Sequence, residues 1–510
     1  MDHIVIADGD GDGVREGDHP DGGVPRRSVA RNVGVLLGTQ VLTWVVSLVL
    51  LVALPRFLGS AAIGQYRLAN SVWLIAATFI ALGTQTLVTL EVARRQHEGA
   101  DIVAPAVLVR LLSFFVVACG VAGLVVVAGY GSTLAVLFAI MGLATLVRTV
   151  GDIAIAALQG FEDFASPSIA SIFEKVTSTL VILVALVLGA GVEVVASIGL
   201  VIAIFQTALL YRLLRRWVPI RSRTSRGEAA TVARRGLPFL FGAFALVAYH
   251  ETDTVVMSLL VADEQIGWYA AADRLMATSL FVPTIVMSAL FPTFARLHDD
   301  DASLGRAMVE RGFRSLVVLS IPIGFGLATL STPLALLLFG EEFRQSGPVL
   351  AVMAVVLMIM FQTILIGNYA VATGHERYYF SLVFVGVLAT VPLDLALVPW
   401  TDRAFDNGAI GGALAYIVTE TAILVVGVRR FAPHVVNRAM VERVAKCLFA
   451  GGCMVAAIWP LRDVVLVVPV AIGALVYVGV TVVSSTLTEE ERGAVATTIR
   501  RVRDRDRPSR

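Results

Sequence analysis

Long apolar segments separated by short polar breaks make up most of this chain. A helix needs about 20 such residues to cross the hydrocarbon core of a bilayer. Because the core holds no water, each crossing segment must satisfy its own backbone hydrogen bonds, which favours an α-helix. Only 15% of the residues are charged, whereas a soluble domain carries roughly a quarter. We therefore predict an all-α polytopic membrane protein.

The apolar pattern predicts about fourteen transmembrane helices. Arginines in the tails and loops fall mostly on the side shared with the N-terminus, as the positive-inside rule requires of a cytoplasmic side. We therefore expect a multi-pass protein of the cell (cytoplasmic) membrane with both termini in the cytoplasm. The predicted spans are Val33–Leu54, Tyr66–Leu90, Val103–Val127, Thr133–Leu158, Ser168–Leu188, Val194–Leu214, Leu237–Val261, Trp268–Phe294, Arg314–Leu330, Val349–Thr373, Phe380–Pro399, Ile410–Val428, Val444–Trp459 and Val464–Val483.

A short sequence phrase occurs twice, in two of the breaks between spans. Ile63–Ala69 and Ile266–Ala272 share the pattern Ile-Gly-x-Tyr-x-x-Ala at an offset of 203 residues. A weaker echo follows in the same order, Gly160–Phe164 against Gly374–Tyr378. Chance similarity between helix-connecting turns is the alternative explanation. Since many secondary transporters are built from repeated blocks of membrane helices, we favour two related halves.

The repeat predicts two six-helix lobes with further segments around them. The basic segment between the copies fits either contact with anionic membrane lipids or a topology determinant, and we favour the second. The last two spans have no counterpart in the repeat. The predicted divisions are a disordered acidic tail 1–25, an N-lobe 26–217, a basic cytoplasmic linker 218–235, a C-lobe 236–432, a two-helix appendage 433–486 and a charged cytoplasmic tail 487–510.

Motifs for enzymatic chemistry are not found in the sequence. It contains no phosphate-binding loop of the type Gly-x-x-x-x-Gly-Lys-Ser/Thr, and no span pairs histidine with carboxylate in a metal-ligand pattern. We therefore expect no enzyme activity, no cofactor and no nucleic-acid partner. Transport driven by an ion gradient or by the substrate's own gradient is the expected class of function.

Three ionisable residues lie together in the seventh predicted span: His250, Glu251 and Asp253. Charged side chains inside a membrane are costly and therefore point to function. The three cannot all face lipid, so at least some must face a cavity, where they would bind a coupling proton or sodium ion. The structural alternative is burial as an ion pair with a neighbouring arginine.

Two arginines are predicted near the outer ends of the second and eighth spans. Arg274 follows Asp273, and the 203-residue shift aligns this pair with Asn70 and Ser71, close to Arg67. A guanidinium that faces inward suits a phosphate group, because its planar fork forms two parallel charge-assisted hydrogen bonds. The alternative is that both side chains extend to the outer head groups.

A further charged group is predicted near the cytoplasmic ends of spans three to five. It comprises Arg110, Arg148, Asp152, Glu174 and Lys175. Because both signs are present, we expect mutual pairing between neighbouring helices. A docking role for a phosphate that enters from the cytoplasm is the alternative.

Several phrases resemble landmarks of the polysaccharide-biosynthesis flippases, which share a superfamily with multidrug extruders and lipid II flippases. Leu54–Tyr66 resembles the segment that joins the first two helices of that family, and Ala81–Thr84 with Ala93–Arg95 resembles the second helix and its exit. Ile266–Leu275 and Leu338–Phe343 are similar to later landmarks. The resemblance covers residues 26 to 483 approximately.

The resemblance implies two lobes related by a pseudo-twofold axis along the membrane normal, with helices one, two, seven and eight around a central cavity. It also implies a cargo of sugar or oligosaccharide on a polyprenyl phosphate or diphosphate, and a groove for the lipid tail beside the last two helices. Carried onto this chain, the cavity-lining residues are Gln40, Arg67, Asn70, Gln85, Asp253, Asp273 and Arg274.

We therefore predict a flippase that moves a lipid-linked glycan across the membrane by alternating access, with glycan-assembly enzymes as further partners. Two alternatives are a cation-coupled exporter of small amphiphilic compounds and a non-transporting scaffold for glycan assembly. The first span lacks the acidic residue that many multidrug extruders carry there, which disfavours the exporter.

Overall fold

The computed structural model describes residues 26–95, 99–217, 224–300, 302–462 and 464–484. Within these ranges the side chains of 26–45, 99–100, 289, 291–293, 295–300 and 302–303 are not described. The described residues form helices and contain no strand, so the predicted all-α class is confirmed. The predicted tails 1–25 and 487–510 lie outside the described residues.

Sixteen α-helices follow one another along the described chain. They are α1 (Arg26–Ala81), α2 (Thr84–Arg95), α3 (Val103–Val127), α4 (Ser132–Gly160), α5 (Ala165–Val187), α6 (Val192–Leu214), α7 (Arg226–Met257), α8 (Asp263–Ser279), α9 (Phe281–Asp300), α10 (Ala302–Thr329), α11 (Ser331–Phe339), α12 (Ser346–Ala372), α13 (Glu376–Phe405), α14 (Ala409–Phe431), α15 (Arg438–Ile458) and α16 (Val467–Val483). Short 3₁₀ turns occur at Gly99–Ile102, Glu341–Phe343, Pro433–Val435 and Trp459–Leu461.

Twelve helices in the described ranges are long and apolar enough to cross a membrane, and Val467–Val483 is a shorter apolar helix. The first of the twelve, Val46–Ala81, contains parts of two predicted spans. Gly59 divides them, because its φ of 81° and ψ of 173° interrupt the helical path of α1, a conformation that glycine adopts without steric cost. The predicted count of about fourteen spans is therefore approximate.

Two predicted spans are each interrupted by a break. In Tyr66–Leu90 the helix stops where Leu82 and Gly83 take positive φ values of 45° and 67°. Trp268–Phe294 breaks between α8 and α9, just before Pro283. Proline lacks a backbone N–H and is tolerated in the first turn of a helix, so it fits the start of α9. The prediction of a continuous helix is therefore wrong in Tyr66–Leu90, whereas the turn before α9 lies inside Asp263–Ser288, which still counts as one candidate membrane span.

The seventh helix begins earlier than its apolar segment. α7 begins at Arg226, within the predicted linker, whereas the predicted span starts at Leu237. Ser225 accepts from the backbone N–H of Glu228, whose carboxylate accepts from the backbone of Ser225, so the two form a capping box. The capped polar turns extend the helix past its apolar region. Linker residues 218–223 lie outside the described ranges.

Helices α1 to α6 pack mainly against one another, as do α7 to α14, while α15 and α16 pack against α10. The two halves meet where α1 lies against α7 and α8, and where α2 and α3 lie against α7. This arrangement brings polar segments of α1, α7 and α8 to the centre of the molecule. The residue boundaries of the proposed lobes stay predictions.

Candidate functional site between the two halves

The two copies of the repeated phrase pack against each other. A Cβ atom added at Gly64 would lie 1.9 Å from the backbone oxygen of Asp263, and one added at Gly267 would lie 2.0 Å from that of Ser60. The contact is reciprocal, because the 203-residue offset relates both pairs, as in a twofold-symmetric interface. Only glycine permits so close an approach of α1 and α8. We call this region the motif end.

Side chains reinforce the motif end. Gln65 donates a 2.8 Å hydrogen bond to the carboxylate of Asp263. The backbone N–H and the hydroxyl of Ser60 both donate to one carboxylate oxygen of Glu342, at 2.7 and 2.8 Å, and the Trp268 indole donates to the backbone oxygen of Glu342 at 3.1 Å. The contacts of Gln65 and Ser60 join the first half to the second, so the two halves are closed against each other here, while the Trp268 bond holds Glu342 in place within the second half.

A second close approach lies at the opposite end, which we call the linker end. A Cβ at Gly83 would lie 2.2 Å from the backbone oxygen of Gly236, and a Cβ at Gly236 would lie 2.2 Å from that of Leu82. Arg235 forms an ion pair with Glu91 beside this contact. The break after α1 therefore packs directly against α7.

Between the two ends, Arg67 joins three helices. Its Nη2 lies 3.2 Å from Oε2 of Glu251 on α7 and 3.3 Å from Oδ2 of Asp273 on α8. Ser71 donates a 2.6 Å hydrogen bond to the same Glu251 oxygen. The Arg67 side chain is 15% exposed, and its Nε has no hydrogen-bond partner among the described residues. The structure therefore places Glu251 in an ion pair with an arginine that faces inward.

Arg274 lies beside this group on α8 and is partly buried. It directly follows Asp273 in the chain, and no carboxylate lies within 4.0 Å of its guanidinium among the described residues. One guanidinium is therefore held by carboxylates, while a second beside it lacks an ion-pair partner in the described part of the chain. Arg67, Asp273 and Arg274 form what we call the arginine cluster.

The remaining predicted cavity residues are more dispersed. Asn70 lines a cavity between α1, α4 and α6. Gln85 is exposed on α2, beyond the break after α1. Gln40 lies in α1 within 26–45, where the side chains are outside the described part. The structure thus brings three of the six candidate substrate residues into one cluster, and their role in binding stays a prediction.

Asp253 belongs to a different environment from Glu251. It is 3% exposed and accepts a 2.9 Å hydrogen bond from the Tyr269 hydroxyl. Asp394 lies on α13, the helix that packs against α7. It is completely buried and has no hydrogen-bond partner on either carboxylate oxygen among the described residues. Two neighbouring buried carboxylates repel each other unless a proton or a cation lies between them. This acidic pair can therefore hold positive charge.

His250 and Glu420 lie in a further polar group of the second half. The Tyr249 hydroxyl donates to the Glu420 carboxylate, and the Tyr416 hydroxyl lies 3.2 Å from His250 Nδ1. Tyr249, His250 and Glu420 line a cavity of about 400 Å³ between α7, α12, α13 and α14. The three predicted coupling candidates therefore have three different surroundings.

The first half contains its own buried charge. Arg110 is completely buried and lies 3.6 Å from Asp152. Its Nε donates to the Thr84 hydroxyl at 3.1 Å, and its Nη1 donates to the backbone oxygen of Thr149. Arg110 and Asp152 are therefore paired between α3 and α4, as expected. Arg148, on the same helix as Asp152, is exposed.

Sequence reasoning missed two buried acids. Asp394 and Glu420 lie within the eleventh and twelfth predicted spans, so the rule that singled out Asp253 also applied to them. Tyr249, which donates to Glu420, had no comparable signal, because a tyrosine in a span carries no charge. The roles of these residues depend on which helices become neighbours.

Comparison with known proteins identifies the family. A family model described as "Polysaccharide biosynthesis protein" matches residues 29–298, which is more than half of the chain. The chain belongs to the polysaccharide biosynthesis protein family. The predicted resemblance is therefore confirmed.

Individual relatives of this family member are distant. The succinoglycan biosynthesis transport protein ExoT of Rhizobium meliloti is 25% identical over 79% of this chain and 80% of its own length. A structure of the lipid II flippase MurJ in an inward closed conformation matches with a TM-score of 0.73 and 13% identity, over 89% of this chain and 98% of MurJ. An inward-facing multidrug resistance transporter matches with a TM-score of 0.62 and 12% identity, over 77% and 95%. At these identities the structures show a shared fold.

Proposed function

We propose that this protein is a flippase that moves a sugar or oligosaccharide linked to polyprenyl phosphate or diphosphate across the cytoplasmic membrane for polysaccharide assembly. The observation that carries this proposal is the arginine cluster, which lies between two halves of apolar helices. Moving an anionic head group through hydrocarbon is costly, since an unpaired charge there is strongly disfavoured. Guanidinium groups between the halves offset that cost.

The arginine cluster predicts the order in which an incoming phosphate contacts its two guanidinium groups. Arg274 lacks a carboxylate partner within the described residues, so an incoming phosphate meets it first. The fork of Arg67 is held by Glu251 and Asp273, and a phosphate competes with them because it also accepts charge-assisted hydrogen bonds. Binding therefore weakens an ion pair that joins the two halves, which favours their separation.

Alternating access follows from the two ends. With both termini in the cytoplasm, the motif end faces outward, and its closure by Gly64 and Gly267 corresponds to an inward-facing or occluded state. Release on the outer side requires α1 and α8 to separate there. The fold shared with MurJ supports this reading. The prenyl tail stays in the lipid while only the head group passes between the halves.

We assign the coupling of transport to an ion gradient to Asp253 and Asp394, which we call the acidic pair. Glu251 is engaged by Arg67 and Ser71, whereas Asp394 has no hydrogen-bond partner among the described residues. A proton or sodium ion bound by this pair compensates its negative charge. Binding of this ion from one side of the membrane and its release to the other side would drive the transport cycle in one direction.

The test is reconstitution of the full chain in liposomes with a fluorescent undecaprenyl-diphosphate-linked sugar. Translocation is measured as protection of the labelled sugar from a membrane-impermeant quencher. We expect faster loss of protection than in protein-free liposomes. The proposal fails if translocation in the two preparations is equal while the protein remains folded.

The two alternatives give different results. A cation-coupled exporter of amphiphiles would show proton- or sodium-driven efflux of dyes from the same liposomes, and a flippase would show none. A scaffold for glycan-assembly enzymes would retain surface glycan in cells after Arg67→Ala or Arg274→Ala. Loss of surface glycan, with lipid-linked precursors accumulating on the cytoplasmic face, supports the flippase.

A further inference from the structure

Two small cavities in the first half meet at Arg148 and Asp152. The first, of about 230 Å³, lies between α1, α4 and α6 and is also lined by Tyr66, Asn70 and Trp73. The second, of about 240 Å³, lies between α4, α5 and α6 on the other side of Arg148 and Asp152. The two cavities share these two residues as a common wall, and we call them together the side channel.

The side channel lies next to the arginine cluster along α1. Tyr66 lines its first cavity and directly precedes Arg67 in the chain. Asn70 lies one helical turn further along α1, on the same wall. A head group bound by its phosphate at the arginine cluster therefore has the side channel within reach of its sugar units.

The charges around the side channel leave one guanidinium without an ion-pair partner. Arg110 lies 3.6 Å from Asp152, so these two compensate each other. Lys175 lies 3.9 Å from Glu174 in the second cavity, so this pair is also neutral. Arg148 is exposed and has no carboxylate within 4.0 Å among the described residues. The side channel therefore carries one excess positive charge.

One buried guanidinium near the side channel lacks a hydrogen-bond acceptor for one of its nitrogens in the part of the chain that the structure describes. Nη2 of the completely buried Arg110 has no hydrogen-bond partner among the described residues. Buried donors are normally satisfied. Arg110 lines neither cavity, however, whereas Arg148 lines both, so the guanidinium that an anion in the side channel reaches is that of Arg148.

The walls favour a sugar over a bare phosphate. Ligand pockets for drug-sized molecules usually measure 300 Å³ or more, so a cavity near 230 Å³ suits a ligand as small as one sugar ring. Tyr66 and Trp73 provide flat apolar surfaces, while Asn70 and Arg148 provide polar groups. Phosphate carries almost two negative charges near neutral pH, whereas a sugar carboxylate carries one and matches the single excess guanidinium.

We infer that the side channel binds an acidic sugar unit of the glycan head group, with the carboxylate paired to Arg148. The inference rests on the proposed function, because it names the sugar class that the flippase carries. A bidentate pair between guanidinium and carboxylate gives orientation as well as affinity. The channel thereby selects glycans that carry a uronic acid or another sugar with a carboxylate near the lipid-linked end.

The experiment compares methyl glucuronide with methyl glucoside, which share the pyranose ring and differ at C6, on the full-length protein in nanodiscs. Binding is measured by ligand-observed NMR titration. We expect at least about tenfold tighter binding of the glucuronide, since a charge-assisted pair replaces a neutral hydrogen bond. Arg148→Gln should abolish this preference, so that the two glycosides bind with about equal affinity, and Arg148→Lys should keep part of the preference.

Arg215→Gln is the matched control, because Arg215 is exposed at the end of α6 in the same half, and it should keep the wild-type preference. Equal binding of the two glycosides by the wild-type protein overturns the inference, whatever the variants do. A preference for the glucuronide that survives Arg148→Gln also overturns the inference. So does binding of inorganic phosphate that depends on Arg148 and is tighter than binding of the glucuronide.

Failure of the inference and failure of the proposed function are distinguishable. Translocation of the lipid-linked sugar without any preference for the glucuronide would leave a flippase with no acidic-sugar site. An Arg148-dependent preference without any translocation in liposomes would leave a sugar-binding protein that is not a flippase. Thermal unfolding of each variant without ligand shows whether Arg148→Gln still folds.

Discussion

The guanidinium of Arg67 is held by carboxylates from two other helices, and this contact predicts its mutational effect. Arg67→Gln leaves Glu251 and Asp273 without their shared counter-charge and removes a phosphate ligand. Translocation in liposomes should fall at least about tenfold, the effect of roughly 1.4 kcal/mol. Arg67→Lys keeps the charge without the planar fork, so its translocation rate should lie between those of the wild-type and Arg67→Gln proteins. Arg215→Gln is the control, and a fully active Arg67→Gln protein would contradict the assigned role.

Asp394 predicts the ion dependence of transport. Replacing it by asparagine keeps the shape but removes one charge from the acidic pair, so the pair no longer needs a proton or a cation. We expect Asp394→Asn protein to translocate at a rate that no longer responds to an imposed proton or sodium gradient. Glu442→Gln, an exposed change on α15, should leave the response intact. An unchanged gradient response in Asp394→Asn would assign coupling to another group.

The sequence predicted which single side chains carry charge in the interior better than it predicted which residues those side chains contact. Arg67, Asp273 and Arg274 were predicted from charge inside spans, and the structure brings them together. An ion pair with a neighbouring arginine was one of the two alternatives for Glu251, but the sequence did not identify Arg67 as the partner, because the two residues are 184 positions apart on helices whose facing surfaces depend on the whole fold. Gln85 illustrates the reverse, since its position in a predicted span did not reveal the break before it.

The close approaches of helices at the motif end are features of the element scale. Gly64→Val or Gly267→Val would place methyl groups where a single Cβ already lies about 2 Å from the opposite backbone. The two halves should no longer close there. A cysteine at Gln65 should then react several-fold faster with an impermeant maleimide, because closure normally protects it.

Gly123→Val is the matched control for this prediction. Gly123 lies in α3, and a Cβ added there meets no other heavy atom within 4 Å. The valine should therefore leave both closure and Gln65→Cys labelling unchanged, apart from the small helix preference of the residue. Equal labelling in the Gly64→Val and Gly123→Val proteins would show that the glycine contact does not hold the motif end closed.

Helix breaks were harder to predict from the sequence than helices. The apolar pattern predicted most helices of the described chain, because a bilayer permits few alternatives. The break at Gly59 falls between two predicted spans, as hydropathy indicated. Gly83 and Pro283 interrupt segments that remain apolar on both sides, so hydropathy alone does not reveal those breaks. The repeated Ile-Gly-x-Tyr phrase did carry a signal, but for packing between α1 and α8 and not for a binding site.

The whole molecule divides its interior charges between the two halves. The first half contributes mainly arginines, and the second contributes mainly carboxylates. The proposed phosphate ligands Arg67 and Arg274 lie where the two halves meet, whereas Asp394 lies on α13 within the second half. The ion pairs of Arg67 are where the two sets of charges meet. Among the described residues, the charged groups that are buried or partly buried in these helices include Arg67, Arg110 and Asp152 in the first half, and Glu251, Asp253, Asp273, Arg274, Asp394 and Glu420 in the second.

Transport by this charge arrangement requires the halves to separate at the motif end, which a cross-link can prevent. Gln65 and Asp263 belong to different halves and share a 2.8 Å hydrogen bond. In a background without the three native cysteines, we expect Gln65→Cys/Asp263→Cys to be joined by a short, reducible bis-thiosulfonate reagent. The joined protein should lose nearly all translocation, and reduction should restore it.

The control is a cross-link of the same reach that leaves the halves free to separate. Gln265 and Asp402 share a 2.7 Å hydrogen bond, and both lie in the second half, on α8 and α13. Joining Gln265→Cys to Asp402→Cys should leave translocation close to that of the uncross-linked protein. If both cross-links have the same effect, the loss reflects general rigidity. If the inter-half link leaves transport intact, the head group does not pass by separation of the halves at the motif end.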